Sequence, residues 1–373
     1  MKKNYILLFL LSVTMGFAQI PTGYYSSATG TGYTLKTQLY NIIKNHNDQG
    51  YGALWTLYSS TAFRDNYYEN NGSLLDMYSE NPTGSDSYEY TSTSQQCGNY
   101  SGEGSCYNRE HLVPQSYFDN YAVDPMKNDG HFVVPSDGYV NGQRNNFPFG
   151  KVGSASWTST NGSKKGNNLN SGYSAGYSNT VFEPIDEFKG DIARSLFYFA
   201  TRYENIMSNF YTTTGASTDA KVMFDGSNNK AFSDTFLNIL ITWHTNDPVS
   251  AKEIAINNRV FQHQANRNPF IDHPEYVCQI WPTQCAALST QDFVSLDGIS
   301  VYPNPSNNHS INIQSEVALD EIQLINLNGQ LIQVINKPVF NNNTYTIDNL
   351  PQGFYLLRLS SENQSVTKKI IVN

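Results

Sequence analysis

Between Cys106 and Gly150 the chain gathers an adjacent Glu110–His111 pair, a second histidine at position 131 and a polar run from Asn141 to Asn146. No other stretch concentrates so many groups able to move a proton, hold a cation or contact a phosphate. Cleavage of a phosphodiester needs a base to activate water, a Lewis acid on the phosphate and stabilisation of the leaving oxygen. His111 suits the base, because imidazole titrates near neutral pH. Neighbours on an extended segment point to opposite sides, so Glu110 can ligate a metal while His111 faces the water. Asn141 adds a neutral oxygen ligand. Glu110 plus Asn141 leaves most positions of a hard cation to water and phosphate, which suits Mg2+, with Mn2+ or Ca2+ as alternatives. His131 reads as a brace between strands. Arg109, Arg144 and Arg194 are candidate phosphate contacts, each with an ordinary ion-pair or surface role as its alternative. Lys189 and Arg202 read as solvated.

These residues need a scaffold that holds them together. His111 to Val113 reads as extended and is ended by Pro114, which lacks a backbone donor. Phe132 to Val134 reads as a second strand, stopped by Pro135. Ser136 and Asp137 can cap a helix that carries Asn141 and closes before Pro148. The local order is strand, loop, strand, helix.

Around this stretch, apolar spacing predicts helices over 34–47 with Thr34 as cap, 190–207, 231–243 and 251–264, the last starting from Pro248. A short strand is expected over 74–78 and a hairpin or irregular excursion over 151–179. Beyond residue 298 seven short alternating strands are expected, separated by turns such as Asn328-Gly329, which make a small antiparallel β-sandwich. The fold class is therefore α+β: a mainly helical domain over 19–290, a linker at 291–298 and the sandwich over 299–373.

Charged residues are only 15% of the 373, well under the ~25% usual for soluble proteins. Asn, Ser, Thr, Tyr and Gly take their place, a composition that suits an exported chain. The net charge of −9 argues against a broadly basic nucleic-acid binder, though a local cationic patch and a metal suffice for a nuclease. Residues 1–18 read as a signal peptide, with Lys2 and Lys3 before an apolar run and Ala18 at a cleavage point. No later run is long enough to span a membrane. Four cysteines in an exported chain favour disulfides, and proximity favours Cys97–Cys106 and Cys278–Cys285 over a zinc site.

The run Asn108-Arg109-Glu110-His111-Leu112-Val113-Pro114-Gln115-Ser116, then Asp129-Gly130-His131, then Pro135 to Phe147, resembles the secreted and periplasmic endonuclease I family of ββα-metal, or His-Me finger, nucleases. Phe182-Glu183-Pro184, Lys189 to Arg194 and Asn266-Arg267-Asn268-Pro269-Phe270 resemble it too. The resemblance implies His111 as general base and Glu110 with Asn141 as divalent-metal ligands. It also implies sequence-nonspecific cleavage of DNA, often of RNA, leaving 5′-phosphates. Two departures stand out. Phe132 replaces a frequent Asn, and the loop between His111 and Asn141 has no Arg, only Lys127, which leaves Arg144 as the substitute phosphate ligand. Val301-Tyr302-Pro303-Asn304-Pro305, Leu350 to Tyr355 and Lys368 to Val372 resemble the C-terminal sorting domain of the type IX secretion system. That implies passage through the outer membrane on the secretion machinery.

The expectation is a secreted, monomeric, metal-dependent endonuclease acting on DNA and possibly on RNA. Its rivals are a ribonuclease on the same fold and a non-enzymatic surface protein that binds glycan or a partner.

Overall fold

A computed structural model describes residues 20–118, 123–212, 219–289, 298–361 and 364–373. The expected signal peptide and nearly all of the expected linker lie outside them. The chain divides into two units, Met1–Leu288 and Ser289–Asn373. No helix among the described residues is long and apolar enough to cross a membrane.

In the first unit, α1 (Gly32–Ile43) and α2 (Ala53–Tyr58) precede β1 (Tyr107–His111). Two single turns, α3 (Gln115–Phe118) and α4 (Val123–Met126), lead to β2 (Val133–Asp137) and α5 (Gly138–Arg144). β1 and β2 pair antiparallel, with Glu110 opposite Val134 and His111 opposite Val133. Then β3 (Val152–Thr158), β4 (Lys164–Asn168) and β5 (Thr180–Glu183) form a second antiparallel sheet in the order β3-β4-β5. This excursion touches α5: Lys165 Nζ donates to Gln143 Oε1 (2.6 Å) and the Trp157 ring packs tilted against Tyr139. The helices α6 (Lys189–Arg202), α7 (Met207–Thr212), α8 (Asp234–Asn246), α9 (Ala251–Gln264), α10 (Pro269–Asp272), α11 (Tyr276–Ile280) and α12 (Pro282–Ser289) complete the unit.

The core is aromatic. Phe118, Phe132, Phe199 and Phe210 pack ring to ring beside His111. Large rings bury much area each, which offsets a modest aliphatic content. Phe132, the family departure, is fully buried in this cluster. α6 is buried on nearly every face because α1, α8 and α10 pack around it.

Several elements differ from expectation. Residues 74–78 form no strand. Leu74 makes one bridge to Arg64, and the Asp76 carboxylate then takes the Tyr78 N–H (2.9 Å), turning the backbone away. The helix expected from Ala231 begins at Asp234, because Ala231 sits at φ 68°. α6 stops at Arg202, short of Met207. α1 begins at Gly32, with Thr31 rather than Thr34 at its cap. α9 spans the expected residues, but its cap is Ser250, in a reciprocal box with Glu253, rather than Pro248. β5 was not foreseen.

The second unit contains β6 (Ser300–Tyr302), β7 (Ile311–Gln314), β8 (Glu321–Asn326), β9 (Leu331–Asn336), β10 (Thr344–Ile347), β11 (Gly353–Ser361) and β12 (Gln364–Val372). They form two antiparallel sheets, β10-β7-β6 and β12-β11-β8-β9. Alternate residues Ile311, Ile313, Ile322, Leu324, Leu357 and Leu359 are fully or almost fully buried in one shared core. Gly329 supplies the left-handed turn residue between β8 and β9.

Both disulfides form, Cys97–Cys106 and Cys278–Cys285. The first ends one residue before β1. Closing so short a loop restricts the unfolded chain by about 2–3 kcal/mol. Cys97→Ser/Cys106→Ser is expected to melt several degrees lower than the parent under oxidising conditions, and reductant should lower the parent's Tm but leave this step absent in the variant.

Candidate active site

Asp137 aims α5. As N-cap, its Oδ1 accepts the Val140 N–H (2.7 Å), and its Oδ2 accepts Tyr90 O–H (2.6 Å) and Gly104 N–H (2.8 Å). Its own N–H donates to Asp76 Oδ2 (2.8 Å). Asn141, on the second turn of this helix, donates from Nδ2 to Asn108 Oδ1 on β1 (2.7 Å). Its nitrogen is thereby engaged, and its carbonyl oxygen is the donor atom left for a cation. Asn108 was not singled out from sequence as a working residue. Only its position in the Asn-Arg-Glu-His run pointed to it.

Glu110 is buried at 2% exposure. Its Oε1 accepts Tyr78 O–H (3.1 Å) and lies 3.4 Å from Arg144 Nη1. Burial pushes its carboxyl up to about 7, against the opposing pull of Arg144, the Tyr78 hydroxyl and the His111 N–H. A buried carboxylate in this state favours an added cation. One carboxylate oxygen donor and one amide oxygen donor suit a hard divalent ion rather than a soft one.

His111 is also nearly buried and faces other neighbours. Its Nε2 lies 3.2 Å from the Lys127 carbonyl oxygen, a contact that requires the proton on Nε2 and leaves the lone pair on Nδ1. Burial lowers its pKa to about 4, and the charges of Arg109, Lys127 and Arg144 act in the same direction. The imidazole is therefore neutral at physiological pH.

The cations sort differently from the sequence reading. Arg144 is not placed to meet a phosphate. It is 1% exposed, donates to the carbonyls of His111 (3.0 Å), Leu112 (2.6 Å) and Asn145 (3.3 Å), and lies over the Phe149 ring. Arg194 is fully buried in a two-pronged pair with Glu253. Lys189 and Arg202, expected in solvent, are buried: Lys189 pairs with Glu183 (2.6 Å) and Arg202 donates to His46 Nδ1 (2.9 Å). Arg109 remains half-buried beside His111. Its guanidinium stacks on Tyr51 (3.3 Å) and Trp55 (4.2 Å), and Lys127 Nζ also lies over the Tyr51 ring (4.7 Å). Tyr51 itself is 5.9 Å from the His111 ring.

His131 lies behind the strands. Its Nε2 is 3.0 Å from the Asn266 carbonyl oxygen, and its N–H donates to Asp129 Oδ1 (3.1 Å). Asp129, fully buried, also accepts from Gln264, Tyr198 and Tyr203. This network fixes the loop whose Lys127 carbonyl holds His111.

Residues 31–275 match the family model described as Endonuclease I. The chain belongs to the endonuclease I family. Residues 300–373 match a secretion system C-terminal sorting domain, the type IX tail. An extracellular ribonuclease of Bacillus subtilis (strain 168) is 32% identical over 261 residues, covering 69% of this chain and 78% of that protein. An extracellular ribonuclease of Bacillus amyloliquefaciens is 32% identical over 260 residues, with the same coverage. A solved structure described as PorZ, from the type-IX secretion system of Porphyromonas gingivalis, overlaps 22% of this chain and 12% of its own, at 16% identity and a TM-score of 0.19, too low to carry a fold argument. This endonuclease I family member is a secreted nuclease, a hydrolase of phosphodiester bonds.

The neutral burial of His131 has a pH signature. Burial lowers its pKa from 6.5 to about 4, against the raising influence of Asp129 and the Asn266 carbonyl. The unfolded chain takes up this proton near pH 6.5 and the folded chain does not, so the stabilisation is complete above 6.5 and is lost as pH falls toward 4. His131→Gln lacks that dependence. The Tm gap between parent and variant is expected to narrow between pH 7 and pH 5 by an amount equivalent to about 2 kcal/mol, read by paired melts at each pH.

Proposed function

We propose that this endonuclease I family chain is a divalent-metal-dependent, sequence-nonspecific endonuclease that cleaves DNA, and RNA at the same site, on a His-Me finger made of β1, β2 and α5. The observation that carries the reading is His111. It is a neutral, buried imidazole with Nε2 held by a backbone carbonyl, on the strand that bears Glu110 and beside the helix that bears Asn141.

In this mechanism Nδ1 of His111 takes a proton from water as the water oxygen attacks phosphorus. The bond from phosphorus to the 3′ oxygen breaks, leaving a 5′-phosphate and a 3′-hydroxyl. Glu110 and Asn141 would hold the metal. When bound, such an ion supplies Lewis-acid stabilisation of the phosphate and of the departing oxygen. Tyr78 and Arg144 orient the Glu110 carboxylate, and Asn108 orients the Asn141 amide. Arg109 and Lys127 take the phosphate-binding role that Arg144 cannot fill. The names of the two Bacillus relatives favour RNA among the substrates.

Supercoiled plasmid and structured RNA incubated with Mg2+ should both be degraded, with cleavage lost on chelation. His111→Ala should reduce the rate ~10²–10⁴-fold. Plasmid and RNA left intact with every divalent metal would sink the nuclease chemistry proposed here, and normal cutting by His111→Ala would sink the base assignment.

The stacked cations give a separate expectation. Arg109→Ala and Lys127→Ala should each raise KM several-fold with a smaller effect on kcat. Each should also make log(kcat/KM) less steep against log salt by about one charge. Arg194→Ala should instead lower stability without a change in that slope.

A further inference from the structure

Away from β1, β2 and α5, the carboxylates of Asp65, Glu69 and Glu80 converge, each offering an oxygen within 4.8 Å of the others. Asp65 is fully buried, Glu80 is 1% exposed and Glu69 is half-buried. Three like charges brought together out of water repel and are poorly solvated. No ion pair among the described residues joins any of them to a lysine or arginine; the buried cations pair elsewhere, Lys252 with Asp191, Arg194 with Glu253 and Lys189 with Glu183.

A second observation points into the same space. Both oxygens of Glu69, and Oε1 of Glu80, are buried and take no hydrogen bond from any group outside the cluster, although Glu69 and Glu80 lie within hydrogen-bond range of each other. Buried polar atoms nearly always have one, and a buried carboxylate without one is costly. Asp65 is held firmly in place. Its Oδ1 accepts the N–H groups of Tyr67 (3.0 Å) and Tyr68 (2.9 Å), and its Oδ2 accepts that of Asn70 (2.8 Å). A carboxylate has about four lone-pair positions, so one remains. Three carboxylates whose open lone pairs share one small volume are the donor set of a cation.

We propose that Asp65, Glu69 and Glu80 form a calcium site, separate from the Glu110–Asn141 pair. All its donors are oxygen, which excludes the softer metals. Ca2+ accepts irregular sets of carboxylates at 2.3–2.6 Å, whereas Mg2+ sheds water reluctantly and demands near-octahedral geometry. The half-buried Glu69 side leaves room for water to complete the coordination.

The position gives the site a use. It ties Asp65 and Glu69 to Glu80, just past the residues that brace the active site. Asp76 accepts the N–H of Asp137, the cap of the Asn141 helix, and Tyr78 donates to Glu110. Calcium would hold the chain from Asp65 to Glu80 closed.

The test uses the full purified chain carrying Glu110→Gln, so that the proposed catalytic carboxylate does not contribute and no activity is read. After chelation, CaCl2 at about 100 times its Kd is expected to raise Tm by about 5 °C or more, and MgCl2 by much less. Adding Glu69→Gln/Glu80→Gln should abolish the calcium shift. In chelator that variant should melt at or above its parent, since the crowding of three carboxylates is relieved. Terbium emission excited through tyrosine should appear in the Glu110→Gln chain and be displaced by CaCl2, a measurement that needs no second variant. A Tm and a terbium signal both indifferent to CaCl2 would overturn the proposal, as would a calcium shift that survives Glu69→Gln/Glu80→Gln. A magnesium shift as large as the calcium shift would overturn the choice of ion.

Discussion

The arrangement depends on one buried cation. Arg144, at the end of α5, gives its terminal nitrogens to the carbonyls of His111 and Leu112 as the chain leaves β1, and sits beside the Glu110 carboxylate. Without it, two carbonyls and a carboxylate in a nearly dry interior would lose their partner, and removal of one half of such a buried pair costs several kcal/mol. The guanidinium therefore sets the distance between the helix that carries Asn141 and the strand that carries Glu110. Lysine, with one compact ammonium, cannot span both carbonyls and the carboxylate in the same plane.

The later motifs serve the same end from behind. Asn266 accepts His131 through its carbonyl and donates to the Ile43 carbonyl and Tyr198 hydroxyl. Arg267 closes a two-pronged pair with Asp272, and Asn268 caps α10. Each bond satisfies a buried polar group, and together they hold the loop from Lys127 to His131. The His111 ring is thus positioned through a backbone carbonyl whose own place is fixed by Asp129, His131 and Asn266. The motifs far from Glu110 in sequence are its scaffold.

Much of this was legible in the chain. Alternation located the seven C-terminal strands, and apolar spacing located α6, α8 and α9 to within a few residues. The strand, loop, strand, helix order around Glu110 was readable, and Asp137 caps the helix, but the prolines do not bound the strands. β1 covers 107–111 rather than 111–113 and ends before Pro114, and β2 pairs on through Pro135 to Asp137 because a two-stranded ladder tolerates a missing donor on its edge. The misreadings share a cause: sequence shows residue type but not burial. Arg144, Arg194, Lys189 and Arg202 are types that usually sit in water, and each is instead buried on a partner distant in sequence. Residues 74–78 look like a strand until Asp76 competes for the backbone. Asp65, Glu69 and Glu80 follow no motif spacing, and only the fold brings their oxygens together.

The acidic net charge becomes intelligible once the cations are located. Among the described residues seven lysines and arginines are buried, each with a partner inside the first unit. Nine carboxylates are buried with them, so the exterior stays acidic and supplies no broad field to attract a polyanion. Attraction must then be local. Arg109 stacks on Tyr51 and Trp55 and Lys127 lies over Tyr51, so the rings hold both cations in place. On the proposed function, a grip of two cations and a metal would bind a phosphate backbone weakly and with shallow salt dependence compared with a basic groove. For the sequence-nonspecific cleavage proposed, weak binding would favour release of product over retention. The same local grip would let a chain with an excess of acidic residues act on a polyanion.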